Sequence, residues 1–344
     1  MSDGSPLRIG LAGCQAGLEA LTLDETWAML VEAERSGLDG VWVNEEHLGR
    51  RGPRRCWATL PFLSHVAGRV PRIRLGSAAL LLPLHHPLRL AEEIGSLCCF
   101  APGRVMLGIS PHRPGPYAEA FGCRTHASPE GFRQDFDECL AAVDALLRGE
   151  QIELRAAGHR GHEVSSAIVP DVQPQWYRAA YSADSITAAA QSRMPLLQHY
   201  IQSPASIMRG REIYSASLGE AAQPLLRESP VHRFILIGAD DASARRSAKQ
   251  YARLLTDRLR SFGIDRRGDI TAPEDLVAER FIDETAIVGS ADTVYDRIVD
   301  LAARTGAGTV NVNLGWMGVV DHEQVTASAR HLIDGVLGRL ARQF

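Results

Sequence analysis

Short apolar runs of β type alternate with longer stretches of 3.6-residue hydrophobic period from one end of the chain to the other. This alternation constrains the fold most, because parallel strands need crossovers long enough to hold a helix. Eight β-type runs can be read, at 8–12, 40–44, 74–82, 105–109, 177–181, 195–200, 233–238 and 309–314. Each precedes a helical pattern, so the expected fold class is α/β, a (β/α)8 TIM barrel formed as a single domain by residues 1–344. Asp24 is placed to cap the first helix, which ends at Gly37, and the helical run 133–148 stops at Gly149. Two excursions interrupt the pattern. Residues 150–174, between strands four and five, read as a hairpin or irregular segment, and the charged, Pro-interrupted residues 262–281 read as a loop with a short helix.

A hydrophobic content of 45% with 23% charged residues suits a large core and excludes a disordered or collagen-like chain. The net charge of -4 gives no attraction to phosphate backbones or anionic lipid, so the expected partner is a small molecule, with no nucleic acid and no membrane. The six cysteines form no CxxC pair and read as buried free thiols. The first residues lack the pattern of a signal peptide, and no apolar run approaches a membrane span, so the expected location is cytoplasmic.

In a (β/α)8 barrel the chemistry gathers at the C-terminal ends of the strands. Strand two runs into Glu45, Glu46 and His47, strand four into Ser110, and strand five into Tyr181 and Ser182. Strand six ends in Gln198, His199 and Tyr200, and strand eight carries Asn311 and Asn313 on one face. Several strands thus turn polar at one end, which marks that end as the active site. His85 and His86 lack a correctly spaced carboxylate or cysteine, so no metal is expected, and no GxGxxG follows a strand to hold a nicotinamide cofactor.

Three segments, NEEHLG, RLGSAALLLPLHHPLRLAEEIGSL and GRVMLGIS, resemble the bacterial luciferase-like flavin monooxygenase family. The resemblance rests on Glu46 and His47, on Gly76, Ser77, Ala78, Ala79, Leu82, Pro83, His86, Pro87, Arg89, Ala91 and Glu92, and on Gly103, Arg104, Gly108 and Ile109. It implies a barrel that binds reduced FMN at the strand ends, reacts it with O2 to a C4a-peroxyflavin, and oxygenates a small organic substrate. A separate flavin reductase would supply the FMNH2.

By the same resemblance His47 is the catalytic acid or base, while Glu46 reads as a structural residue that anchors a loop or the barrel mouth. Ala78 and Ala79 form a non-prolyl cis bulge beneath the isoalloxazine, and Ser110 occupies the place of a flavin-proximal cysteine. Tyr181, Ser182 and Ser185 lead into a helix N-terminus that would grip the flavin phosphate. Pro111 stands where luciferase has a phosphate-binding arginine, a role that Arg113 could take over. A homodimer is expected through the helices after strands two and three, where Ala91 and Gly95 offer a small-residue face. Two other readings stay open: a deazaflavin-dependent oxidoreductase on the same barrel, and a non-catalytic flavoprotein or partner subunit. The presence of His47 speaks against the latter.

Overall fold

A computed structural model of the chain describes residues 6–47, 56–111, 119–123, 129–154, 161–261 and 278–340. Its strands are β1 (Arg8–Gly13), β2 (Gly40–Val43), β3 (Arg74–Leu81), β4 (Val105–Ser110), β5 (Ile152–Leu154), β6 (His162–Val164), β7 (Gln175–Ala179), β8 (Leu196–Leu197), β9 (Val231–Ile237), β10 (Ile287–Gly289) and β11 (Thr309–Asn313). Nine of them form one parallel sheet in the order β10-β9-β11-β1-β2-β3-β4-β7-β8, while β5 and β6 pair antiparallel as a separate hairpin. The sheet curls, and Leu196 N at the start of β8 donates to Ser229 Oγ, two residues before β9, at 2.8 Å.

The sheet differs from the expected eight strands. β10 is an additional strand that pairs with β9 through Ile287 and Ile235. At three residues it is too short to display a period. β7 begins and ends two residues earlier than expected, and β8 is only two residues long because the chain turns at Tyr200 and Ile201.

Glycines fit the sheet around one large side chain. A Cβ on Gly76 would lie 2.5 Å from the Trp42 ring, which meets Tyr177 and His232 edge-on. A Cβ on Gly108 would lie 2.4 Å from Ser77 O. At the N-terminal end of the strands, Arg8 pairs with Glu228 at 2.9 Å and Arg74 pairs with Asp39, so charges close that end of the sheet.

The helices pack outside. The first (Leu23–Arg35) is capped by Thr22 rather than by Asp24: the extended Thr22 backbone lets its Oγ1 accept from Glu25 N, while Thr22 N donates to the Glu25 carboxylate. Asp24 sits in the first turn. The helix Pro87–Phe100 buries Leu90, Ala91, Ile94, Gly95, Leu97 and Cys98 within the chain. A Cβ on Gly95 would meet Ile168 O at 2.9 Å, so the small face expected to admit a second subunit is covered by this chain's own residues. Among the described residues no helix is long and apolar enough to cross a membrane.

Candidate active site

At the C-terminal end of the sheet the β3–β4 ladder changes register between Ser77 and Leu80. Ser77 Oγ donates to Gly108 O at 2.8 Å and fixes the near side of this bulge. The step across it is a cis peptide between Ala78 and Ala79, both half-buried between fully buried neighbours. Ser110 ends β4 in register with Leu81, just beyond the bulge. The two alanines and Ser110 therefore form a small-residue ledge at the mouth, where a flat ring system can approach the backbone.

Beside the ledge lies Glu45, whose side chain is 5% exposed. Its carboxylate accepts from His47 Nε2 at 2.9 Å, His85 Nε2 at 2.7 Å and Leu81 N at 2.5 Å. Burial opposes ionisation of Glu45, but the bonds from His47 and His85, the His85 charge and the Leu81 amide outweigh it and hold the carboxyl at about 2. Burial likewise opposes protonation of His85, and the hydrogen bond and charge of Glu45 reverse that and raise its pKa. The ring of His47 tilts against Phe121, centroids 4.6 Å apart, and Phe121 is 45% exposed.

Asn44 Oδ1 and Gln198 Oε1, at the ends of β2 and β8, are buried without a hydrogen-bond partner among the described residues. Such acceptors call for a donor, and a flavin-type ring carries one on its pyrimidine edge. The small side chains of the ledge leave space that suits such a ring, and the two acceptors lie at ends of strands of the same sheet. Deeper in, His232 touches the rings of Trp42 and Tyr200, and burial, followed by the charges of His199 and Arg233, lowers its pKa to about 3, so it stays neutral.

The residues expected at a phosphate divide. Tyr181 meets the His199 ring edge-on at 5.9 Å. Ser182 and Ser185 form a reciprocal cap on the helix Ala183–Gln191, Ser182 Oγ receiving Ser185 N and Ser185 Oγ receiving Ser182 N. Their hydroxyls are thus engaged in holding the helix start. Arg113 lies outside the described residues.

Three features of the site escaped the sequence. Glu45 is a carboxylate that holds His47, and His85 is its second partner. The cysteine reading also needs correction: Cys14 and Cys56 are disulfide-bonded, Cys99 is exposed and Cys123 half-buried, leaving only Cys98 and Cys139 as buried free thiols. The turn after β1 and the segment after β2 converge at the mouth and bring the two Cα atoms to 5.0 Å, within disulfide reach. The separation of 42 residues conceals this. Glu46 with the two sulfurs places three metal-ligand atoms within 4.8 Å of one another, but bonded sulfurs are not thiolates.

Comparison with known proteins gives this end of the sheet a context. An F420-dependent glucose-6-phosphate dehydrogenase of Beutenbergia cavernae is 30% identical over 184 residues, 52% of this chain and 53% of that protein. A luciferase-like monooxygenase of Escherichia coli K12 is 25% identical over 239 residues, 69% of this chain and 65% of that protein. The chain thus spans about half the length of the first and about two thirds of the second. Among solved structures, the FMN-bound oxygenating constituent of 3,6-diketocamphane monooxygenase from Pseudomonas putida superposes with a TM-score of 0.73 at 20% identity, covering 96% of this chain and 98% of that one. The luciferase-like monooxygenase family model matches residues 9–309, and the chain belongs to that family of oxidoreductases.

Proposed function

We propose that the protein is a flavin-dependent monooxygenase that takes reduced FMN from a separate reductase and uses O2 to oxygenate a small organic substrate. The observation that carries this reading is the small-residue ledge of Ala78, Ala79 and Ser110 at the strand ends, with the Glu45-bound His47 at the end of neighbouring β2. A reduced flavin held there supplies the two electrons that activate O2 for insertion of one oxygen atom.

The chain's own residues do the rest. Ala78 and Ala79 let the ring lie against backbone, and Asn44 Oδ1 and Gln198 Oε1 orient its polar edge. We assign the phosphate to Tyr181 and the start of the helix Ala183–Gln191, where the helix dipole and first-turn amides suit an anion even while Ser182 and Ser185 cap. With Nε2–H given to Glu45, His47 takes up or returns a proton at Nδ1. Phe121, against the His47 ring, offers an apolar wall to the substrate.

Reconstitution with FMN, a flavin reductase and NADH tests this: O2-dependent product from an added organic substrate supports it. A second reading, hydride transfer with a deazaflavin, is favoured by the relative from Beutenbergia cavernae. Anaerobic conversion of an added substrate coupled to reduction of oxidised deazaflavin, or to oxidation of reduced deazaflavin, would select it.

A further inference from the structure

Cys14 opens the turn after β1, in which Gln15 and Ala16 take left-handed φ of 46° and 57°. Cys56 lies three residues before the helix Thr59–Arg69. One further bond joins the same two segments, Trp57 Nε1 donating to Gln15 Oε1 at 2.8 Å, and Thr59 Oγ1 ties the second of them to the end of β2 by donating to Asn44 O at 3.3 Å. Glu46 Oε2 lies 3.3 Å from Cys14 Sγ. The crosslink therefore straddles the stretch Asn44, Glu45, Glu46 and His47, which carries the candidate site.

We propose that the Cys14–Cys56 bond is a reversible redox latch on the active-site mouth, closed by hydrogen peroxide and opened by a dithiol reductant. In closing, the two thiols give up two protons and two electrons, the peroxide O–O bond breaks, two waters leave and the S–S bond forms. In opening, a reductant thiolate attacks one sulfur, a mixed disulfide forms, and the reductant's second thiol resolves it, releasing both protein thiols.

The two states differ in what faces Glu46. Bonded sulfurs carry no proton, whereas a reduced Cys14 thiol can donate to the Glu46 carboxylate. Reduction also removes the covalent tie between the β1 turn and the segment that leads into the helix Thr59–Arg69, leaving the Trp57–Gln15 hydrogen bond as their link. Two of the other cysteines are poor competitors for the oxidant: burial pushes the Cys98 and Cys139 thiols up to about 12. The source of peroxide rests on the proposed function, because reduced flavin that meets O2 without substrate yields hydrogen peroxide. The latch would then report uncoupled turnover at the site that produces it.

Thiol counting on the full-length protein tests the latch without any flavin. After peroxide treatment and denaturation, four thiols should alkylate, rising to six after dithiothreitol, with the Cys14–Cys56 peptide pair found by mass spectrometry. Hydrogen exchange in peptides covering residues 44–47 should rise severalfold on reduction, and Cys56→Ser should exchange like the reduced protein in either condition. Reduced FMN should bind at least fivefold more weakly to the reduced form. Six alkylatable thiols after peroxide, or exchange at 44–47 indifferent to redox state, would overturn the latch. Failure of both forms to bind FMN would count against the flavin reading while the thiol count and the exchange still decide the latch.

Discussion

His47 Nε2 lies 2.9 Å from Glu45 Oε1, and the same oxygen receives His85 Nε2 at 2.7 Å. One buried carboxylate thus joins a histidine from the end of β2 to one beyond the end of β3. With Leu81 N as a third donor, the ends of two neighbouring strands are held together by a single anion. Removing its charge should disturb both the chemistry and the packing of the mouth.

Glu45→Gln keeps the shape but loses the charge. Hydrogen bonds to a buried charge contribute about 1.5–3 kcal/mol, and a loss of about 2–4 kcal/mol in stability is expected here. Turnover should fall tenfold or more because the His47 ring loses its orienting anion. Urea denaturation and steady-state rates on the purified variant check both numbers.

The same cluster fixes a pH dependence. Glu45 titrates lower in the folded protein, so its contribution is present above its ordinary 4.5 and lost as pH falls toward about 2. His85 titrates higher than its ordinary 6.5, so its contribution is complete below 6.5 and lost as pH rises through the raised value. Melting temperature should be highest between about pH 4.5 and 6.5 as far as this cluster governs it. Scanning calorimetry across pH should show a smaller alkaline decline in His85→Gln.

For His47→Ala the expected outcome is a fall in product formation of about 10² or more, as for loss of a general acid or base, with flavin affinity within a few fold. Turnover and flavin titration on the same preparation separate the two effects. An unchanged rate would reduce His47 to a structural partner of Glu45.

Most strands were legible because their apolar runs are long enough to show what surrounds them. β10 was not, since three residues carry no period and only pairing with β9 defines it. His47 could be found from NEEHLG, but its relation to His85 spans 38 positions and exists only once β2 and β3 lie side by side. Thr22 and Asp24 are both good caps, and only the extended backbone at Thr22 decides between them. Ser182 and Ser185 satisfied a helix-cap pattern and a phosphate-loop pattern equally, and their mutual hydrogen bonds fulfil the first. The ledge was legible only through the family resemblance, which points to Ala78, Ala79 and Ser110, because small residues in a strand do not by themselves announce a bulge.

Dimerisation through the helices after β2 and β3 remains our proposal, but Gly95 is no probe of it. A large residue there would strike Ile168 within the chain, so Gly95→Arg should lower stability rather than dissociate a dimer. Phe100, 64% exposed at the end of that helix, is the better probe. Light scattering should give twice the 37.5 kDa chain mass for the wild type and a shift toward monomer for Phe100→Glu. A wild-type mass of one chain would refute the dimer.

The central claim is that the ledge at the end of β3 holds a reduced flavin for oxygen chemistry. Anaerobic titration with reduced FMN and with a reduced deazaflavin, each followed by mixing with oxygenated buffer and substrate, tests it most directly. Reduced FMN should bind more tightly than oxidised FMN, Ala79→Leu should weaken that binding tenfold or more, and the product should carry one atom of labelled O2. Tight binding of the deazaflavin with no affinity for reduced FMN, or product lacking the label, would contradict it.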